Sequence, residues 1–140
     1  MDDAIGSQKI IGEICMKAIL LVGTGGFIGS VLRYWVSAWV FRALDKPWFP
    51  FGTLAVNVVG CFAIGLLGGL AEQRRFFDYE IRLLVFVGIL GGFTTFSAFA
   101  HETTILLRDS RLLGAWLNVG LEVFFGLMAV WLGGLLSRLI

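Results

Sequence analysis

Four long apolar stretches, separated by short charged segments, constrain this chain more than any other feature. A helix crossing the roughly 30 Å hydrocarbon layer of a bilayer needs about 20 consecutive, mostly apolar residues. Residues 18–41, 51–71, 83–107 and 113–136 all reach that length, and the connections at 42–50, 72–82 and 108–112 are short and charged. Backbone amides cannot stay unpaired in lipid, so stretches of this kind span as helices. Composition agrees, with 58% hydrophobic and 15% charged residues, against about 25% charged in an ordinary soluble domain. A soluble fold of this size would leave roughly 30% of its unfolded surface wet, too much for so greasy a chain. The fold class read from this is an all-α integral membrane protein with four transmembrane helices. Trp35, Trp39, Trp48, Trp116 and Trp131 lie toward span ends, where indole rings favour the headgroup layer.

Other classes fall away on charge and chemistry. The net charge of +1 offers no basic footprint for nucleic acid. Cys15 and Cys61 suit neither a disulfide framework nor a zinc site. His101 is the single histidine, no nucleophile stands at motif spacing from a base, and no phosphate-binding loop occurs, so there is no case for an enzyme. Residues 1–15 read as a polar tail ahead of a single four-helix transmembrane domain at 16–140. Asp2 and Asp3 deny that tail the basic start of a secretory signal. Met16-Lys17 before an apolar run would itself read as a natural beginning, so the leading segment is either a real polar tail or, the favoured reading, an over-extended start; it is assigned no function.

Loop charge bears on orientation. With an even number of spans both termini share a side with the middle loop, and that side holds Lys9, Lys17, Arg74, Arg75, Arg82 and Arg138. The opposite side holds Arg42, Lys46, Arg108 and Arg111. The positive-inside rule needs a clearer difference than this to set one topology. Two readings stay open: a weakly biased single topology, or insertion in both directions with copies paired head to tail.

Polar residues inside the spans lie on stripes of small residues. Gly25, Gly29 and Arg33 follow one another at four-residue steps, and Asn57 shares a face with Gly60, Cys61, Gly65 and Gly68. Asn118, Glu122 and Gly126 repeat the pattern in the fourth span. Small-residue faces are where helices pack in membranes, so these groups face protein rather than lipid. Gly25/Gly29, Gly65/Gly69 and Gly88/Gly92 have Gly-x-x-x-Gly spacing, which by itself says only that helices touch. Arg33 as a snorkelling cation and Asn57 as an ordinary interhelical hydrogen bonder are the plainer alternatives.

The third span is the most specific. Gly88, Gly91 and Gly92 precede Thr94, Thr95 and Ser97 near its middle. A stretch so rich in helix-weakening residues is expected to unwind, leaving carbonyls and amides free to hold ions. Beyond it Phe96, Phe99 and Thr103 fall on one helical face, and phenyl ring edges are electropositive enough to contact an anion. A kinked packing helix with core phenylalanines is the alternative.

The run Gly91-Gly92-Phe93-Thr94-Thr95-Phe96-Ser97-Ala98-Phe99 resembles the signature of the Fluc (CrcB-type) fluoride channels. Asn57, within Gly52-Thr53-Leu54-Ala55-Val56-Asn57-Val58-Val59-Gly60, and Gly25-Gly26-Phe27-Ile28-Gly29 leading to Arg33 are similar to theirs as well. The resemblance covers the chain from about Met16 onward. It implies an antiparallel, dual-topology homodimer of four-helix subunits in the bacterial inner membrane, with two pores that passively export fluoride. By position, Asn57 would be the pore amide, Phe96 and Phe99 the ring-edge contacts, and Ser97 and Thr103 hydroxyls of the pore. Arg33 would concentrate anions at a vestibule. The carbonyls of Gly91 and Thr94 would match ligands of a structural central sodium ion. Glu102 fits the family pattern without an assigned role.

Two departures stand out. Ala98 replaces a frequent hydroxyl residue of the signature, and Glu122 and Gly126 stand where hydroxyl residues are expected along the conduction path. A proton-coupled exchanger of the small multidrug resistance type would need a first-span carboxylate where this chain has Arg33, leaving it only Glu102 or Glu122. A non-conducting assembly subunit would explain the glycine stripes and leave Asn57 and Arg33 idle.

Overall fold

The computed structural model describes the backbone of residues 2–45, 48–74 and 77–140, and the side chains of residues 15–45, 48–73 and 77–140. The order is α1 (Asp2–Ala43), α2 (Phe51–Arg74), α3 (Tyr79–Arg82), a π-helical stretch (Leu83–Leu90), α4 (Gly91–Phe93), α5 (Phe96–Arg108) and α6 (Leu112–Ser137). Among the described residues four segments are long and apolar enough to cross a membrane: Cys15–Ala43, Phe51–Gln73, Tyr79–Arg108 and Leu112–Ser137. The chain is an integral, multi-pass membrane protein. Of the loop cations, Lys46 and Arg75 lie outside the described residues, as do the side chains of Lys9 and Arg74.

The spans differ from the sequence expectation most at the starts of the first and third, and elsewhere by at most two residues. The leading segment, read as a tail, winds as a helix continuous with the first span, so α1 runs for 42 residues. No proline occurs in this stretch to end the ladder. The third span begins four residues early, at Tyr79 rather than at 83. Asp78, in extended conformation, caps it by accepting the Ile81 amide at 2.9 Å, and Glu80 sits in the first turn. That is where a carboxylate opposes the partial positive charge of a helix start. Lys17 of α1 pairs with Glu80, placing the start of the third span beside the start of the apolar part of the first.

Packing follows the glycines. α2 lies along α6, and α1 lies along the π-helical stretch and α4. A Cβ on Gly25 would fall 2.9 Å from the Gly88 Cα, and one on Gly88 would fall 2.8 Å from the Gly25 Cα. Gly29 meets Ile89 and Phe93 backbone in the same way, Gly65 meets Val130, Gly69 meets Ser137, and Gly92 meets Gly26. All six glycines of the three Gly-x-x-x-Gly pairs are therefore at close helix approaches, the arrangement that lets helices associate in lipid without a hydrophobic drive. Gly68 is different: it shares the α2 stripe by spacing yet has nothing within 4 Å of its would-be Cβ among the described residues.

The buried core is thin, with Val56, Leu90, Phe93, Leu106, Ala115 and Ala129 among its apolar members. Large apolar side chains such as Phe27, Trp39, Trp116 and Leu127 point outward, as a lipid-facing surface requires.

Candidate functional site

The third span loses its helix for two residues. Thr94 has ψ 156° and Thr95 has φ −153°, ψ 113°, both extended. The chain ahead of the interruption is already loosened into a π-helix, whose wider turn leaves the Gly91 amide bonded to the Phe86 carbonyl. Local chemistry completes the change. The Thr94 hydroxyl donates to the Leu90 carbonyl at 2.9 Å, onto which the Thr94 amide also folds at 3.0 Å. Helix resumes at Phe96 under a Thr95 cap, its Oγ1 accepting the Ala98 amide at 3.2 Å.

Asn57 of α2 repairs the interruption. Its Oδ1 accepts the Thr95 amide at 2.9 Å and its Nδ2 donates to the Thr95 carbonyl at 3.2 Å. The same Nδ2 donates to the Glu122 carboxylate of α6 at 3.1 and 3.3 Å. One amide thus ties three spans together in the interior of the bundle.

Two cavities flank the Asn57–Thr95 contact, and Thr95 lines both. The first, about 390 Å³, is bounded by Asn57, Cys61, Gly91, Thr94, Phe96, Phe99 and Glu122. Its phenyl rings lie 5.4 Å apart, tilted by 56°, and Phe96 is 78% exposed, so it is the outer wall. The second, about 420 Å³, is bounded by Ser30, Arg33, Thr53, Ala98 and Glu102. There Thr53 donates to Glu102 Oε1 at 2.7 Å, while Glu102 Oε2 is buried without a partner among the described residues. Arg33 makes no ion pair among them. A larger space of about 560 Å³ shares Thr53 and Glu102 with the second cavity and extends past Trp48 and Phe49 to Arg42.

The redirected amides leave a mark on two carbonyls of the first cavity. In a continuous helix Gly91 O would accept from Thr95, and Thr94 O from Ala98. Here the Thr95 amide goes to Asn57 and the Ala98 amide to the Thr95 hydroxyl. Carbonyl oxygens released in this way suit a hard cation, so the residues present fit the sodium role that the family resemblance implies for them.

Of the expected site residues, the structure gathers Asn57, Phe96, Phe99, Gly91 and Thr94 around one cavity and puts Arg33 at its neighbour. It does not bring Thr103 or Ser97 there. The Thr103 hydroxyl accepts from the wholly buried Asn118 at 2.9 Å and donates to the Phe99 carbonyl at 2.7 Å, so it fastens α5 to α6. Thr103 keeps the helical face of the phenylalanines but lies seven residues, about 10 Å, further along α5 than Phe96, at the level where Asn118 of α6 meets it. The exposed Ser97 hydroxyl lies 3.2 Å from that of Thr95, at the helix cap. Sequence reasoning missed the bond between Asn57 and Glu122. The signal was present, since both lie on small-residue stripes, but spacing within a helix cannot say which stripe meets which.

Residues 20–134 match the family model described as CrcB-like protein, Camphor Resistance (CrcB). A protein of Methanosarcina acetivorans named fluoride-specific ion channel FluC 1 is 47% identical over 84% of this chain and 88% of its own length. A fluoride-specific ion channel FluC of Rhizobium etli is 44% identical over 88% of this chain and 98% of its own length. Another of that name, from Flavobacterium psychrophilum, is 38% identical over the same shares. With its four spans, the interrupted third helix region and a family match from the first span into the last, this chain belongs to the CrcB-like family.

Proposed function

We propose that this chain is a fluoride-selective channel that lets fluoride leave the cytoplasm passively. The carrying observation is the convergence of the Asn57 amide with Phe96 and Phe99 on one cavity at the interruption of the third span. Relatives that align over most of their length bear the name of fluoride-specific channels. Fluoride is small and holds water tightly, so a pore must replace its hydration with several weak donors at once. An amide and ring edges do this without the permanent charge that would trap the ion. Arg33 in the adjoining cavity raises the local anion concentration. The driving logic is that HF crosses lipid neutral, dissociates in the less acidic cytoplasm, and leaves fluoride to be pushed out by a negative-inside potential.

The working unit in this reading is an antiparallel homodimer in the plasma membrane, with the third span broken near mid-membrane in each copy. The near balance of loop cations supports it. Gly91 and Thr94 would hold a sodium ion through their carbonyl oxygens. When bound, it supplies a structural cross-link between copies and is not transported. The test is fluoride efflux from liposomes containing purified protein, with chloride efflux and Asn57→Asp run alongside. Fluoride-selective release, strongly reduced in the variant, is the expected result. Folded, reconstituted protein that releases no fluoride sinks the channel reading.

The presence of Glu122 at Asn57 favours one competitor, a proton-coupled transporter. In that case an imposed pH gradient would drive fluoride uphill beyond the level that HF permeation gives in protein-free vesicles, which a channel cannot do.

A further inference from the structure

Both donor hydrogens of Asn57 are already engaged. One direction is taken by the Thr95 carbonyl at 3.2 Å, the other by Glu122 at 3.1 Å to one carboxylate oxygen and 3.3 Å to the other. An ionised carboxylate is an acceptor-only anion, which is what a fluoride ion would be at the same amide. We propose that Glu122 is the resident anion of the Asn57 site, and that fluoride takes the amide only when a proton has neutralised that carboxylate. The inference rests on Asn57 being the anion-binding amide.

The position of Glu122 is firmly held. One turn before it, Asn118 is wholly buried and bonded to Thr103. One turn after it, Gly126 is buried beside Cys61, whose Sγ would lie 3.6 Å from a Cβ at that position. The α6 backbone therefore presents Glu122 to Asn57 from a rigid segment.

Charge around the carboxylate sets how the two anions compete. From α2 the neighbouring titratable group is the Cys61 thiol, and from the third span it is the Glu102 carboxylate. The rest of the cavity wall near it is neutral, chiefly Phe96, Phe99 and Thr94. Arg33 of α1 faces the other cavity, with Glu102. No Lys or Arg hydrogen-bonds Glu122 among the described residues. A fluoride ion arriving there meets a like charge on the donor it needs. A carboxylic acid changes both facts. It removes the like charge, and its O–H becomes a donor beside the Asn57 amide. The proton stays on the carboxyl group throughout, so the step is a change of ligand at Asn57 without net proton movement.

The experiment measures fluoride efflux from liposomes at equal pH on both sides, between about pH 8 and about pH 6. Protein-free vesicles correct for HF leakage, and Glu122→Gln and Glu122→Ser are run in parallel. One titrating group allows a rise of up to about tenfold per pH unit while it remains mostly ionised. The wild-type chain is expected to conduct faster toward acid pH within that limit, and both variants to conduct at alkaline pH at least as fast as the wild type at acid pH, without the slope. A flat wild-type profile, or the same slope in the variants, overturns the proposal and leaves the channel reading standing. If the glutamine protein does not fold, the serine protein and the wild-type profile decide. Absence of fluoride release at every pH from folded wild type and variants overturns the channel reading itself, and the inference with it. Uphill fluoride accumulation in an imposed pH gradient, beyond that of protein-free vesicles, also overturns it, because a gate changes rate and cannot supply coupling.

Discussion

Asn57 and Thr95 are joined by a reciprocal pair of hydrogen bonds: the Asn57 side chain accepts the Thr95 amide at 2.9 Å and donates to the Thr95 carbonyl at 3.2 Å. The Asn57 oxygen takes the place of the helical acceptor that the Thr95 amide has given up, and the Asn57 nitrogen adds a bond to the carbonyl of the α5 cap residue. The interruption of the third span is thus held by a residue 38 positions away, in a medium where an unpaired backbone group would be costly.

Asn57→Ala is expected to cost both structure and transport. A buried backbone group left without a partner costs about 1–3 kcal/mol, so melting in detergent should fall measurably. Loss of a hydrogen bond to a permeating anion is worth about 1.5–3 kcal/mol, which slows efflux by roughly 10- to 100-fold. Comparing efflux per folded protein by ion-selective electrode separates the two effects. Unchanged efflux per folded protein would remove Asn57 from the pore.

Thr95→Ala should weaken the start of α5 by about 1 kcal/mol, the usual cost of removing a capping hydroxyl. Thr95→Ser keeps the oxygen that accepts the Ala98 amide at 3.2 Å and should stay near wild type. Thermal stability of the purified pair checks this, and equal losses in both would show that the methyl, rather than the cap, matters.

Thr103→Val tests the pore role expected of Thr103 against the packing contact that its hydroxyl makes with Asn118. The substitution leaves the buried Asn118 amide without its acceptor, a loss of about 1–3 kcal/mol. Fluoride-over-chloride selectivity of the reconstituted protein should be unchanged. Altered selectivity at intact stability would return Thr103 to the conduction path.

Two glycines of α1 should respond oppositely to alanine. A Cβ on Gly29 would run into the Ile89 carbonyl and lie 2.8 Å from the Phe93 amide nitrogen. Overpacking of this kind costs about 1–3 kcal/mol. Among the described residues Gly23 has nothing within 4 Å of the same atom, and replacing a helical glycine by alanine gains up to about 1 kcal/mol. Unfolding in detergent ranks the two, and a Gly29→Ala protein as stable as the wild type would contradict the close packing of α1 on the third span.

Much of this protein was legible before any coordinate. Bilayer thickness translates directly into residue count, so the four spans could be read from length and hydropathy alone. Gly-x-x-x-Gly spacing named six glycines that all lie at close helix approaches. The run of Gly91, Gly92, Thr94 and Thr95 marked where the helix gives way, because those residue types weaken it locally. Other features depended on which helix faces which. Asp78 begins the third span early through a cap that hydropathy does not register. Thr103 belongs to Asn118, Glu102 to Thr53, and Glu122 to Asn57, across separations of 15, 49 and 65 residues. Periodicity along one helix assigns a face but not the neighbour it meets. The neighbour is settled by the close backbone approaches, which set the mutual rotation of α2 and α6 and with it the meeting of Glu122 with Asn57.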